Sequence, residues 1–552
     1  MLRLANRHSH KPYHLLSAAH RRRLEKLERA ARNEYECLQQ KNLDIADAGA
    51  DSNFVNEGQI LAECSFSQTE GVEVVISSDA SANDVQFAFS EVDEISSSSD
   101  VAESISDYDN AVDIEPQNTI DNFREHLVEV FVNNGMSHTQ VSAVLQVLRT
   151  HPCLSSLPKD CRTLLKTPRT THPTFNIAGG EYLHLGFEAG ILSILQQTCP
   201  ELIPRDTLMI DCSTDGVTLD VQGKIQMWPI QIRIANIPRN KPEIVGIWRG
   251  SSKPTNAQEL FQHFVDEVRD VLNREGIIFH NQLKLIKMRC FIADSPARAF
   301  VLGHKGHGSI FPCSKCWIRG NWLRRGVVVY RGIQHRSRTD EEYRQKIDGE
   351  HHTDSDSVLL TLGMGLITQT VFDYMHIVCL GVVPKINSVF VDGKYNPSLK
   401  LSTRLLEIMT TCLQHVHNYC PKEFSRKPQL IKKYGGFKAT ENRQLLLYTA
   451  PAVYYGLINP AAYKHFLLLH SAIRVLVSSS LSEDRLDFAH TALSIFVNRA
   501  EDIYGPEFLS YITHCLLHLV DDVRRFGSLN ELSMFPYENN MTYFRKVCRK
   551  PH

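Results

Sequence analysis

Apolar residues along this chain change their spacing several times, and each change marks a different element. From Thr119 they recur at three and four, through Phe123, Leu127, Val130 and Phe131, which is the period of a helix. Thr139 to Leu148 predicts a second helix, and this module ends at Pro158. Farther on, the spacing becomes two. Thr207 to Leu219 reads as an extended run broken near Asp215-Gly216, Ile225 to Ile237 alternates apolar with polar residues, and Glu243 to Trp248 is a third short strand. Helical spacing returns at Asn256, with Leu260, Phe264, Val268 and Leu272 on one side. Leu283 to Ile292 then forms a fourth strand that runs out at Ala293-Asp294, where Ser295 can cap the next helix and Pro296 sits in its first turn.

The order strand, strand, strand, helix, strand, helix predicts an α/β fold: a mixed sheet with helices on its faces, because the fourth strand is reached through a helical crossover. It resembles the ribonuclease H fold, in which the first and fourth strands lie side by side and carboxylates on them can share metal ions. Six segments follow from the pattern. These are a basic helical stretch (1–41), an acidic Ser-rich linker expected to be disordered (42–117), a small helical module (118–170), the first part of the core (176–305), a large mostly helical insertion (306–505) and C-terminal helices that complete the core (506–552).

Charge sharpens this division. Between Asn42 and Phe123 there is no Lys or Arg, against about 19 Asp and Glu. Of the 60 basic residues none falls there, so although the whole chain carries −2 the remainder carries roughly +17. Such a surplus favours phosphate backbones. The triplet Arg21-Arg22-Arg23 suits nuclear targeting or DNA contact, and equally a solvated helix face. Fourteen cysteines scattered over 552 residues are not a secreted disulfide framework. No stretch approaches the roughly 18 apolar residues of a membrane span, and the opening MLRLANRHSHKPYHLL lacks the apolar run of a signal peptide. A nuclear or cytosolic protein with no membrane partner is expected.

Candidate chemistry concentrates in two sets. Asp215 and Asp294 each interrupt or end an apolar strand, and on neighbouring strands they could jointly hold divalent ions, although either alone also reads as a turn or cap aspartate. Asp211 competes with Asp215, being on the same face of a straight strand. Cys313-x-x-Cys316 offers two thiolates to a zinc, and His514 and His518, at i and i+4, would present two imidazoles from one helical face to complete a structural Cys₂His₂ site. The bland alternative is a pair of hydrogen-bonded core histidines in THCLLHLV. His465 and His470, five apart, share a metal less readily, and His376 suits either ligation or a hydrogen bond near the acids. Arg298, Arg319, Arg324 and Arg325 flank these blocks, where they could hold phosphates or be ordinary surface charge. No phosphate loop GxxxxGK[ST] or elbow GxSxG is present.

A series of ordered blocks gives a more specific likeness. Asp215-Gly-Val217, Trp228-Pro-Ile230, Gly246-Ile-Trp-Arg-Gly250 with Lys253-Pro254, and Asp294-Ser-Pro-Ala-Arg298 resemble the catalytic core of CACTA (EnSpm) transposases of animal genomes. His307-Gly308 with Cys313-Ser-Lys-Cys316, Phe372-Asp-Tyr-Met-His376 with Gly381, Lys438-Ala-Thr-Glu441, Leu517-His-Leu519, Phe526-Gly527 and Phe535-Pro-Tyr-Glu-Asn539 continue it over about 160–548, with Arg162-Thr-Leu-Leu165 and Thr167-Pro168 as a leader. The resemblance implies a DDE transposase using Mg²⁺ or Mn²⁺, with double-stranded DNA (element ends and target) as partner and a homodimer as the working form. Carried over, Asp215 matches the first acid, Asp294 the second and Glu538 the third, with Glu441 as runner-up. The split Cys313/Cys316 and His514/His518 set is similar to one in the related antigen-receptor recombinase. The chain stops at His552, a short helix beyond Glu538, where relatives typically continue. A captured transposase that binds DNA without catalysis is the alternative function, and a zinc-bearing adaptor a third.

Overall fold

The computed structural model describes residues 116–167, 172–219, 225–323 and 326–547. The basic stretch 1–41, the acidic linker up to residue 115, and Arg324 and Arg325 lie outside the described residues. Helices α1 (Pro116–Asn133) and α2 (His138–Leu148) and a short helix Cys161–Leu164 enclose a small core of their own, with Phe131, Val141, Leu145, Leu157, Cys161 and Leu164 buried. Ser137 and Gln140 form a capping box that starts α2, a device that contributes about 1 kcal/mol by satisfying otherwise unpaired amides.

A nine-stranded mixed sheet organises the larger part. Its strands are β1 (Thr174–Ile177), β2 (Gly180–His184), β3 (Thr207–Thr214), β4 (Val217–Thr218), β5 (Gln226–Ile234), β6 (Glu243–Gly250), β7 (Ile277–Phe279), β8 (Gln282–Ala293) and β11 (Thr370–Phe372), while β9 (Asn321–Trp322) and β10 (Val328–Val329) form a separate ribbon. The order across the sheet is β1-β2-β6-β5-β3-β8-β11, with β4 on β5 and β7 on β8. From β1 to β3 all neighbours are antiparallel, whereas β3–β8 and β8–β11 are parallel. The crossover between β6 and β8 is α4 (Ala257–Asn273), begun by Asn256, whose side chain accepts two backbone N–H groups.

Alternation along the strands sorts residues to two faces. Leu208, Ile210 and Cys212 of β3 and Ile230, Ile232 and Ile234 of β5 join the core under α3 (Phe187–Gln196), α4 and α5 (Ser295–Leu302). On the other face Cys290 and Ile292 join a second core built by later helices. These helices include α6 (Met375–Asp392), which opens with a π-helical stretch, α7 (Thr403–Asn418), α8 (Ala439–Gln444), α9 (Pro460–Leu476), α10 (Glu483–Tyr504), α11 (Tyr511–Cys515), α12 (Leu519–Phe526) and α13 (Phe535–Val547). By length and composition α6 is apolar enough to cross a membrane, but it is interrupted by Lys385, Asn387 and Asp392 and 61% of it is buried inside the protein. Its apolarity serves the helical core.

Three elements depart from the sequence reading. The β1–β2 hairpin and α3 precede the expected first strand. Their turn places Ala178 and Gly179 at φ 50° and 78°, the left-handed geometry that two-residue hairpins use. Strand β11 comes from within residues 306–505 and extends the sheet beside β8, so that segment is not wholly outside the sheet. Finally, Asp294 rather than Ser295 caps α5. It is the last extended residue, and its Oδ1 accepts the Ala297 N–H at 2.7 Å.

Candidate active site and metal centre

Three neighbouring parallel strands end in aspartate: Asp215 follows β3, Asp294 follows β8 and Asp373 follows β11. Ser213 pairs with Ile292, and Phe372 with Ala293. Continued past the strand ends, that register sets the three at one level, with strands spaced about 4.8 Å apart. Carboxyl ends of parallel strands are where an open α/β sheet leaves room for ligands. Glu538 arrives from far along the chain, in the first turn of α13. One turn later Met541 is buried with Val217 and Met227, which pins that helix beside the Asp215 turn.

Electrostatics shows how close these groups are. Burial, the charges of Asp294 and Glu538, and partial relief from His376 together push Asp215 up to about 7. Each aspartate spends one oxygen locally, Asp215 Oδ1 on the Gly216 N–H at 2.7 Å and Asp294 Oδ1 on Ala297. Among the described residues, no hydrogen bond reaches either Oδ2.

Asp373 is buried and does different work. Its Oδ1 accepts the Met375 and Met534 N–H groups, and its Oδ2 accepts the His376 N–H and lies 2.5 Å from His376 Nδ1. The other ring nitrogen of His376 lies 3.3 Å from Glu538 Oε1. Burial opposes charge on this imidazole, but its bonds to Asp373 and Glu538 prevail and hold its pKa up to about 11. His376 is therefore a cation between two carboxylates. Sequence reasoning left its role open and gave Asp373 none, although Asp-x-x-His at a strand-to-helix junction was the available signal.

The competing acids are engaged in other bonds. Asp211 lies four residues earlier on β3, about 13 Å along a strand, and is fully buried. Arg289, the extra residue of a bulge in β8, grips it with Nε and Nη2 each at 2.6 Å, and Arg233 Nη2 approaches to 3.3 Å. That geometry makes Asp211 a structural counter-charge. Glu441 is turned to the start of its own helix, α8, where Oε2 accepts the Lys438 N–H at 2.7 Å. Arg298, read as an ordinary surface charge or a phosphate contact, is instead 1% exposed and stacks over Phe372 at 4.2 Å, with Tyr511 Oη 2.9 Å away. Arg319 lies over the Phe311 ring.

Cys313, Cys316, His514 and His518 converge, with one potential ligand atom from each within 4.8 Å of all the others. Cys313 Sγ is 3.5 Å from His518 Nε2, Cys316 Sγ is 3.3 Å from His514 Nε2, and the two Nε2 atoms are 3.2 Å apart. The cysteines and His514 are buried. Burial works against a charge on Cys313, but the Cys316 thiol and the imidazoles of His518 and His514 hold it well below the thiol range, while burial keeps His514 neutral. A Cys313 thiolate and a neutral His514 suit a metal ion such as zinc, and these four residues could hold one. Between the cysteines, Lys315 Nζ forms a buried ion pair with Asp522 at 2.5 Å, and the second Asp522 oxygen accepts the Phe372 N–H. The cluster is thereby stitched to β11, immediately before Asp373. His465 and His470 are engaged elsewhere, His465 with Tyr504 Oη and Phe496 O, and His470 with Leu446 O.

Comparison with models of known protein families gives no match, and comparison with curated proteins finds no matching relative.

Proposed function

We propose that this chain is a DNA transposase of the DDE type, with Asp215, Asp294 and Glu538 holding Mg²⁺ or Mn²⁺ for phosphodiester cleavage and strand transfer. The observation that carries the reading is the meeting of these three carboxylates, two from neighbouring parallel strands and one from α13, where burial first and then the charges of Asp294 and Glu538 push Asp215 up to about 7. The side-by-side pairing of β3 and β8 agrees with a ribonuclease H-like core, and the segment between Asp294 and Glu538 is read as its helical insertion.

The donor set fits hard divalent ions: all three groups offer oxygen, and each aspartate keeps one oxygen unbonded among the described residues. When bound, two such ions activate the attacking oxygen and stabilise the leaving one. The chain's own part is orientation. Gly216 and Ala297 fix the aspartates through backbone N–H groups, and His376, itself held by Asp373, fixes Glu538. The Cys/His cluster is read as a structural zinc site with no open position. Partners under this reading are double-stranded DNA and a second copy of the chain, since two element ends must be handled together, and the place of action is the nucleus.

The deciding experiment is nicking of supercoiled plasmid in Mn²⁺ by wild type and Asp294→Asn. Cleavage lost in the variant while DNA binding persists supports the reading. Binding without cleavage by either protein, on DNA that includes candidate element ends, replaces it with a captured DNA-binding protein.

A further inference from the structure

Residues 422–438, between α7 and α8, carry Lys422, Arg426, Lys427, Lys432, Lys433 and Lys438, all exposed, with Glu423 as the one acid in the segment. Some cations elsewhere on the surface are paired, Arg274 with Glu188, Arg331 with Glu501, and Arg524 with Glu483 and Asp487, while others such as Lys241, Lys287 and Lys464 stand singly rather than in a row. Among the described residues, none of the six in this segment forms an ion pair.

The segment is nevertheless firmly seated. Phe424 meets the Tyr448 ring edge-on at 5.1 Å, Pro428 O lies 2.9 Å from His417 Nδ1, Ile431 and Phe437 are buried, and Tyr434 Oη bonds to Asp392. Apolar anchors recur every three to six residues, so the intervening cations are turned out to solvent as a fixed array. Unpaired like charges held in a row repel one another, and a bound polyanion relieves that more fully than screening by water and salt. The six spread along 17 residues instead of converging on one pocket, so the matching anion is extended.

We propose that this basic platform docks the phosphate backbone of double-stranded DNA, an inference that rests on the reading of the chain as a DNA-processing protein. Duplex DNA presents one negative charge per about 1.7 Å of axis, an extended array of the complementary sign. Location favours it too. Helix α8 follows the platform directly and packs on the π-helical opening of α6, the stretch that contains His376, so platform and carboxylate cluster are linked through two packed helices.

The test uses the full chain, a 30-base-pair duplex of arbitrary sequence and fluorescence anisotropy in EDTA from 50 to 200 mM NaCl. Wild type is compared with a platform variant (Arg426→Gln, Lys427→Gln, Lys432→Gln and Lys433→Gln together) and a control variant that removes four cations elsewhere (Arg269→Gln, Arg274→Gln, Lys305→Gln and Arg344→Gln together). The platform variant is expected to bind at least tenfold more weakly at 100 mM. Its plot of log affinity against log salt should be flatter by roughly 0.9 per lost phosphate contact, up to about 3.6, with an unchanged melting temperature. The control variant should stay near wild type. Equal losses in both variants, no loss in either, or no duplex binding by wild type overturns the proposal. So does single-stranded RNA of equal length binding more tightly through the same residues. Because no divalent ion is present, a protein that passes this test and never nicks plasmid overturns the catalytic reading alone.

Discussion

Asp215 and Asp294 face one another across the ends of two parallel strands, each the first residue beyond its strand, two positions past the paired Ser213 and Ile292. With Glu538 added, the metal-free protein holds like charges together at its own expense. Asp215→Asn is therefore expected to raise the melting temperature in EDTA by about 1–3 °C and to abolish the further rise that Mn²⁺ gives wild type. Calorimetry with and without Mn²⁺ reads both, and a lower melting temperature for the variant in EDTA would remove charge crowding from the account.

Asp211→Asn should behave in the opposite way. The substitution leaves Arg289 without its counter-charge and the buried Arg233 with only the exposed Glu531, and breaking a buried pair on one side costs about 3–5 kcal/mol. Urea unfolding of this variant beside Asp215→Asn separates the structural aspartate from the candidate ligand. Equal stability of the two variants contradicts the assignment.

His376 acts through Glu538, as a positioning residue. In His376→Gln the Mn²⁺ concentration for half-maximal nicking should rise about 10- to 100-fold, the usual effect of losing an outer-shell partner, while duplex affinity in EDTA stays the same. An unchanged Mn²⁺ requirement means that the imidazole does not hold the carboxylate in place.

For the Cys/His cluster, elemental analysis of the purified protein is expected to find about one zinc per chain. Cys313→Ser should lose it and melt at lower temperature, as should wild type treated with a chelator. Full zinc retention in Cys313→Ser would falsify the assignment.

His465 supplies a pH dependence away from both clusters. Burial lowers its pKa to about 4, so the folded protein keeps it neutral while the unfolded chain protonates it near 6.5. Its contribution is complete above about pH 6.5, falls as pH drops toward 4 and levels off below. Denaturation of wild type and His465→Gln across this range should show a shallower loss for the variant, and parallel curves would contradict it.

Much of the sheet could be read from the sequence because period-two alternation is a local property. Asp215 and Asp294 stood out because each ends an apolar run. Glu538 did not, since nothing near it distinguishes it from any acid in a first helical turn, and it entered through resemblance to a family. Asp373 was passed over for a related reason: β11 is only three residues long, too short to show alternation, so its aspartate was not seen as the end of a strand. Cys313-x-x-Cys316 advertises itself by spacing, but its partners lie about 200 positions away, and no local pattern measures that separation. Asp211 and Asp215 share a face, and only the positions of Arg289 and Arg233, set by pairing with other strands, tell them apart.

Both clusters draw their last members from the region after residue 513: His514 and His518 for one, Glu538 for the other. A chain emerging from the ribosome can form β3, β8 and the cysteine knuckle well before those residues exist. Neither cluster can be finished until that region has been translated and folded back, so the nascent protein carries an incomplete set of carboxylates up to that point.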